Sequence, residues 1–106
     1  MKDLIKTKIG RYIFNVEFVS KDFLGENTQG KCCDIIRTIY IRNDFDKGGT
    51  ELVLTHELTH ALLSIQGRTY QKQFELEDVC EFVAWGIDDI ILARDKVIEE
   101  RFGKQQ

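Results

Sequence analysis

The chain has 106 residues, 42% of them hydrophobic and 31% charged, a balance that fits one small folded domain and excludes a disordered chain. Its net charge is −3, with Lys and Arg scattered among acids and no basic stripe, so direct nucleic-acid binding is not expected. Three Cys, two of them adjacent at Cys32 and Cys33, show neither C-x-x-C nor a disulfide spacing and read as reduced thiols. No apolar run is long enough for a membrane span, and Met1-Lys2-Asp3 leads into a mixed-charge stretch rather than a signal sequence. The expected location is therefore the cytoplasm in which the chain is made.

Residues 10–19 alternate Tyr12, Phe14, Val16 and Phe18 with Arg11, Ile13, Asn15 and Glu17, which predicts a half-buried strand. Residues 21–30 are polar and predict a loop. Residues 31–42 read as extended, and Thr38-Ile39-Tyr40-Ile41-Arg42 is the clear part; periodicity does not settle whether residues 31–34 form their own strand. From Thr50 the period becomes helical. Leu54, Leu58, Ala61, Leu62 and Ile65 make one stripe, flanked by Leu52 and Leu63, with Thr50 as the expected N-cap and Gly67 as the stop. A second helix is predicted from Glu75 toward Arg101, with Val79, Phe82, Val83, Gly86, Ile87, Ile90, Ile91 and Val97 on its apolar side. Strands followed by two helices give an α+β fold: a small antiparallel sheet, then a motif helix, then a long helix.

The chemistry-bearing segment is His56-Glu57-Leu58-Thr59-His60. Histidines four apart share a helix face, so their imidazoles can converge on one ion. Zn²⁺ accepts neutral imidazole nitrogens, and catalytic sites add a third protein ligand while keeping one position open. The intervening Glu57 is placed to take a proton from water at such a site. Both histidines of the chain lie in this motif, so a carboxylate is the natural third ligand. The acids downstream are Glu75, Glu77, Asp78 and Glu81 at the start of the second helix. A helix hairpin brings that turn back toward the motif, with Glu77 favoured as ligand and Glu81, one turn on, supporting a histidine by hydrogen bonding.

The segments His56-Glu57-Leu58-Thr59-His60-Ala61-Leu62-Leu63 and Glu77-Asp78-Val79-Cys80-Glu81-Phe82-Val83-Ala84 resemble the small phage- and prophage-encoded metallopeptidases of the ImmA/IrrE type. Gly30-Lys31-Cys32-Cys33-Asp34 with Thr38-Ile39-Tyr40-Ile41 is similar to the strand region that precedes the motif helix in that family. The resemblance covers roughly residues 30–90 and lacks the Glu-Ala-Asn segment of longer relatives. It implies a minimal zincin fold of gluzincin kind, one Zn²⁺ held by His56, His60 and Glu77, Glu57 as general base, and a protein substrate such as a helix-turn-helix repressor. In that scheme Thr38, Ile39, Tyr40, Ile41 and Arg42 form the edge strand that holds substrate in extended form. Tyr70 donates to the oxyanion, with Tyr40 and Arg68 as weaker candidates. The competing expectation is a non-catalytic zinc-binding interaction module acting as an anti-repressor, an anti-defence protein or a toxin–antitoxin component.

Overall fold

The computed structural model describes residues 1–68 and 73–103. Four strands come first: β1 Leu4–Ile9, β2 Tyr12–Val19, β3 Gly30–Cys33 and β4 Thr38–Arg42. A one-turn helix α1, Lys21–Leu24, capped by the Ser20 hydroxyl, occupies part of the expected loop. The helices α2, Lys47–Ile65, and α3, Leu76–Phe102, follow. The fold is α+β, as the order of elements predicts.

The sheet runs in the order β1-β2-β4-β3. β1–β2 and β3–β4 are antiparallel, but β2 and β4 are parallel, so the sheet is mixed rather than antiparallel throughout. The cause lies in residues 20–29. They carry the chain past one strand position, so β3 descends at the far edge. A hairpin at residues 34–37, with Arg37 at φ 49, then returns β4 into the gap beside β2. Residues 31–34, which periodicity left open, thus contribute a separate strand.

Alternation decides the faces. Phe14, Val16 and Phe18 of β2 and Ile39 and Ile41 of β4 are buried on the side that the helices cover. β1 was not expected from the sequence. It buries Ile5, Thr7 and Ile9, and the Thr7 hydroxyl donates to the Ala93 carbonyl of α3 at 3.0 Å.

Helix α2 is capped four residues before the expected Thr50. Asp46 is the N-cap, its carboxylate accepting from the Gly49 N–H at 2.7 Å, and Thr50 is buried in the first turns instead. Gly67, at φ 73, ends the helix where the sequence placed its stop; a left-handed residue there costs glycine nothing. The inward stripe is Val53, Leu54, Leu58, Ala61 and Leu62, while Leu52, an expected flank of the core, is 75% exposed.

Helix α3 begins at a capping box in which Asp78 Oδ2 accepts from the Glu75 N–H at 3.0 Å. Gly86, Ile90, Ala93, Val97 and Ile98 pack on the core. A Cβ at position 86 would overlap Leu62 Cδ2, so this glycine is what lets α3 cross close to α2. Of the expected apolar side, Phe82 is half-buried, but Val79, Val83, Ile87 and Ile91 remain 37–47% exposed. Near the far end the buried Arg101 donates to the Lys2 carbonyl at 2.6 Å and stacks 3.8 Å over Phe18, tying α3 to the start of the chain. Among the described residues no helix is long and apolar enough to cross a membrane.

Candidate metal centre

The register of α2 sorts the motif. With Leu54, Leu58 and Ala61 directed into the core, His56 and His60 fall together on the solvent side. Their ring centroids lie 4.9 Å apart at 73°. Glu57 sits between them in sequence but lies further in, against Gly30 of β3, and is only 6% exposed. Its Oε2 lies 3.9 Å from His56 Nε2.

Glycine makes this burial feasible. An added Cβ at Gly30 would stand 2.9 Å from Val53 Cγ1, 3.1 Å from the Tyr40 carbonyl oxygen and 3.2 Å from Glu57 Cγ. The strand backbone therefore rests directly on the Glu57 methylenes. Further along, Ser64 Oγ donates to Asp34 Oδ2 at 2.9 Å, so the hairpin that leaves β3 lies beside the last turn of α2.

Between strand and helix lies a cleft in two adjoining parts. One cavity, about 360 Å³, is lined by Gly30, Lys31, Cys32, Asp34, His56, Glu57 and His60. The other, about 520 Å³, shares Gly30, His56 and Glu57 and continues past Asn27, Thr28, Gln29, Leu52 and Val53. Burial raises the Glu57 carboxyl above its ordinary range, while the two nearby imidazoles pull it back down. Burial also pushes the Cys32 thiol up to about 12, reinforced by the charges of Glu57 and Asp34 and by Cys33, so in the metal-free protein Cys32 is a neutral thiol.

The carboxylates of α3 are placed differently. Arg68 forks between Asp78 and Glu81, each at 3.2 Å. Glu81 is thereby engaged away from the histidines it was expected to support. Glu77 stands exposed in the first turn of α3. Among the described residues no three His, Cys, Asp or Glu side chains form a group able to hold a metal. His56 and His60 are brought together, and Glu77 does not join them in this arrangement.

Two other expectations change. Thr38–Arg42 is β4, which pairs on both sides and is interior; the edge strand beside the motif helix is β3. The strongly patterned strand lies inside because its apolar residues belong to the core, and the short Gly- and Cys-bearing strand takes the rim. Tyr40 alternates with the buried Ile39 and Ile41, so its ring lies on the opposite face of the sheet, 5.1 Å from that of Phe23, and is not an oxyanion donor for this cleft. Arg68 is committed to Asp78 and Glu81. Tyr70 lies outside the described residues.

Sequence reasoning did not single out Asp34 and Cys32 as site residues. Their only sequence signal is the alternation that aims Gly30 and Cys32 at the same neighbour; which neighbour that is depends on the sheet order. Against known proteins, no family model, no curated protein and no solved structure matches the chain.

Proposed function

We propose that this chain is a zinc-dependent hydrolase of the HExxH type that cleaves a peptide bond in a specific cytoplasmic protein, such as a phage or mobile-element repressor. The observation that carries the reading is the pairing of His56 and His60, 4.9 Å apart on the solvent face of α2, with the buried Glu57 beside them in a cleft open along a sheet edge. Two imidazoles one helical turn apart fit zinc, which accepts neutral nitrogen donors. Glu77 is the proposed third ligand; since α3 meets the end of α2 at Gly86 and its first turns run on past it, that segment, and not the Glu77 side chain alone, has to shift toward His60 for it to serve. Asp34 lines the same cavity as both histidines and is the alternative carboxylate.

When bound, zinc supplies Lewis acidity, drawing the pKa of a water toward about 7 and polarising a carbonyl. The protein's own work falls to Glu57 and β3. The Glu57 carboxylate accepts the proton of the attacking water and passes it to the departing amide nitrogen. A carboxyl raised by burial is the stronger base of its type, which suits this exchange. Substrate enters extended along the outer edge of β3, main chain to main chain, and its flanking residues occupy the cavity bordered by Asn27, Thr28 and Leu52.

The test is to load the full chain with zinc, expose it to a peptide library derived from bacterial cytoplasm, and read new termini by mass spectrometry. Cleavage by the wild type, reduced at least ~100-fold in Glu57→Gln, supports the reading. Fragments produced equally by Glu57→Gln overturn the assigned role of Glu57. Absence of cleavage favours a non-catalytic zinc-binding interaction module instead.

A further inference from the structure

A second concave site lies on the flank of the helix hairpin, built by residues outside the motif. The end of α2 provides Leu62, Ile65 and Gln66. Arg68 follows, and α3 contributes Glu81, Trp85 and Asp89 at successive turns. The cavity measures about 560 Å³. Trp85, the one tryptophan of the chain, is 81% exposed on its rim, and Leu92, two turns further along the same outer face, is 70% exposed. Isolated apolar residues on a surface are ordinary, but a tryptophan open to water beside a concave apolar floor is a recognisable docking feature.

Charge selects the occupant. From residue 73 to residue 93 the sequence carries Glu75, Glu77, Asp78, Glu81, Asp88 and Asp89 and neither Lys nor Arg. Arg68 is spoken for by Asp78 and Glu81. Asp89 is half-buried at the cavity wall, and among the described residues no cation pairs with it. A half-buried carboxylate one turn from an exposed indole face offers a cation both an ion pair and a π surface. A second copy laid antiparallel along this part of α3 would set acids against acids, and nucleic acid or an anionic membrane would be repelled.

We infer that this groove docks a basic amphipathic segment of a partner protein, with an Arg or Lys seated against Trp85 and Asp89 and apolar residues on Leu92 and the Leu62–Ile65 floor. This surface is independent of the proposed hydrolysis: it involves neither the histidines nor the β3 cleft.

The experiment titrates the full chain with a synthetic amphipathic helical peptide whose polar face is Arg and Lys, alongside a matched peptide carrying Glu at those positions. Trp85 emission and calorimetry are the readouts. The expected result is saturable binding of the cationic peptide with a change in Trp85 emission, no binding of the acidic one, and affinity at least ten-fold weaker in Asp89→Asn and in Trp85→Ala. Glu26→Gln, which removes the same charge from an exposed loop, should bind as the wild type does. Equal weakening by Glu26→Gln and Asp89→Asn would mean unspecific attraction to an acidic chain and would overturn the inference. So would the absence of saturable binding, or sedimentation showing a dimer that Trp85→Ala dissolves, which would assign the groove to a second copy.

Discussion

Replacing Gly30 by Ala probes the contact on which the site depends. The added methyl meets Val53 Cγ1 at 2.9 Å and the Tyr40 carbonyl oxygen at 3.1 Å, neither free to withdraw: one is in the buried face of α2, the other in the backbone of an interior strand. Glu57 Cγ, at 3.2 Å, can give only by shifting the buried carboxylate. Overpacking of this kind costs roughly 1–3 kcal/mol. Ala also narrows the unfolded ensemble, which returns about 0.4–1 kcal/mol. The net loss is roughly 1–2 kcal/mol, a fall in Tm of about 5–15 °C for a domain of this size. Thermal unfolding followed by circular dichroism measures it. β3 should also separate from α2, so the proposed zinc-dependent activity should fall more in Gly30→Ala than in a variant matched for stability by a change in β1. An unchanged or higher Tm would refute the claim that β3 rests directly on Glu57.

Three further outcomes follow from the same geometry. Gly86→Ala should lose roughly 1–2 kcal/mol in denaturant unfolding despite the better helix propensity of Ala, because its methyl collides with the buried Leu62; a gain in stability would mean the helices are not in close contact there. Leu52→Ser should leave stability within about 0.5 kcal/mol, since that side chain is 75% exposed, but should weaken any peptide that occupies the cavity beside His56. Glu57→Gln should stabilise the metal-free protein at neutral pH. Burial raises the Glu57 carboxyl above its ordinary value of 4.5, so the folded state binds the proton more tightly than the unfolded state. The stability linked to its neutral form is full below about 4.5 and is lost as pH rises, so the advantage of Gln should be largest at pH 7 and vanish near pH 4. A Tm difference that is independent of pH would contradict this.

Much of the fold is legible because local periodicity coincides with burial. Leu54, Leu58, Ala61 and Leu62 announce α2, and Phe14, Val16 and Phe18 announce β2. β1 escapes the same reading because its buried row is Ile5, Thr7 and Ile9 among lysines; Thr7 is tolerated inside only by its bond to Ala93, at the other end of the chain. The order β1-β2-β4-β3 is likewise non-local, and with it goes the identity of the edge strand. The half-exposed apolar residues Val79, Val83 and Ile87 appear as core in a helical count because periodicity cannot know that α2 ends at Ile65 and leaves the start of α3 uncovered.

The site divides in the same way. His56, Glu57 and His60 lie within one helical turn or so of each other, so sequence spacing fixes their relation. The carboxylates of α3 depend on how a connecting segment sets one helix against another, and in this structure Arg68, which spacing alone does not single out as a partner, holds Asp78 and Glu81. Asp34 and Cys32 reach the cleft through sheet order, which no spacing encodes.

Zinc stoichiometry tests the proposed metal site, measured by elemental analysis after reconstitution at neutral pH on the wild type beside His56→Ala, His60→Ala, Glu77→Ala and Asp34→Ala. The expected result is about one zinc per chain, lost in both histidine variants and in one of the two carboxylate variants, which then identifies the third ligand. A wild type that takes up no zinc, or that holds it equally well without His56 and His60, would contradict it.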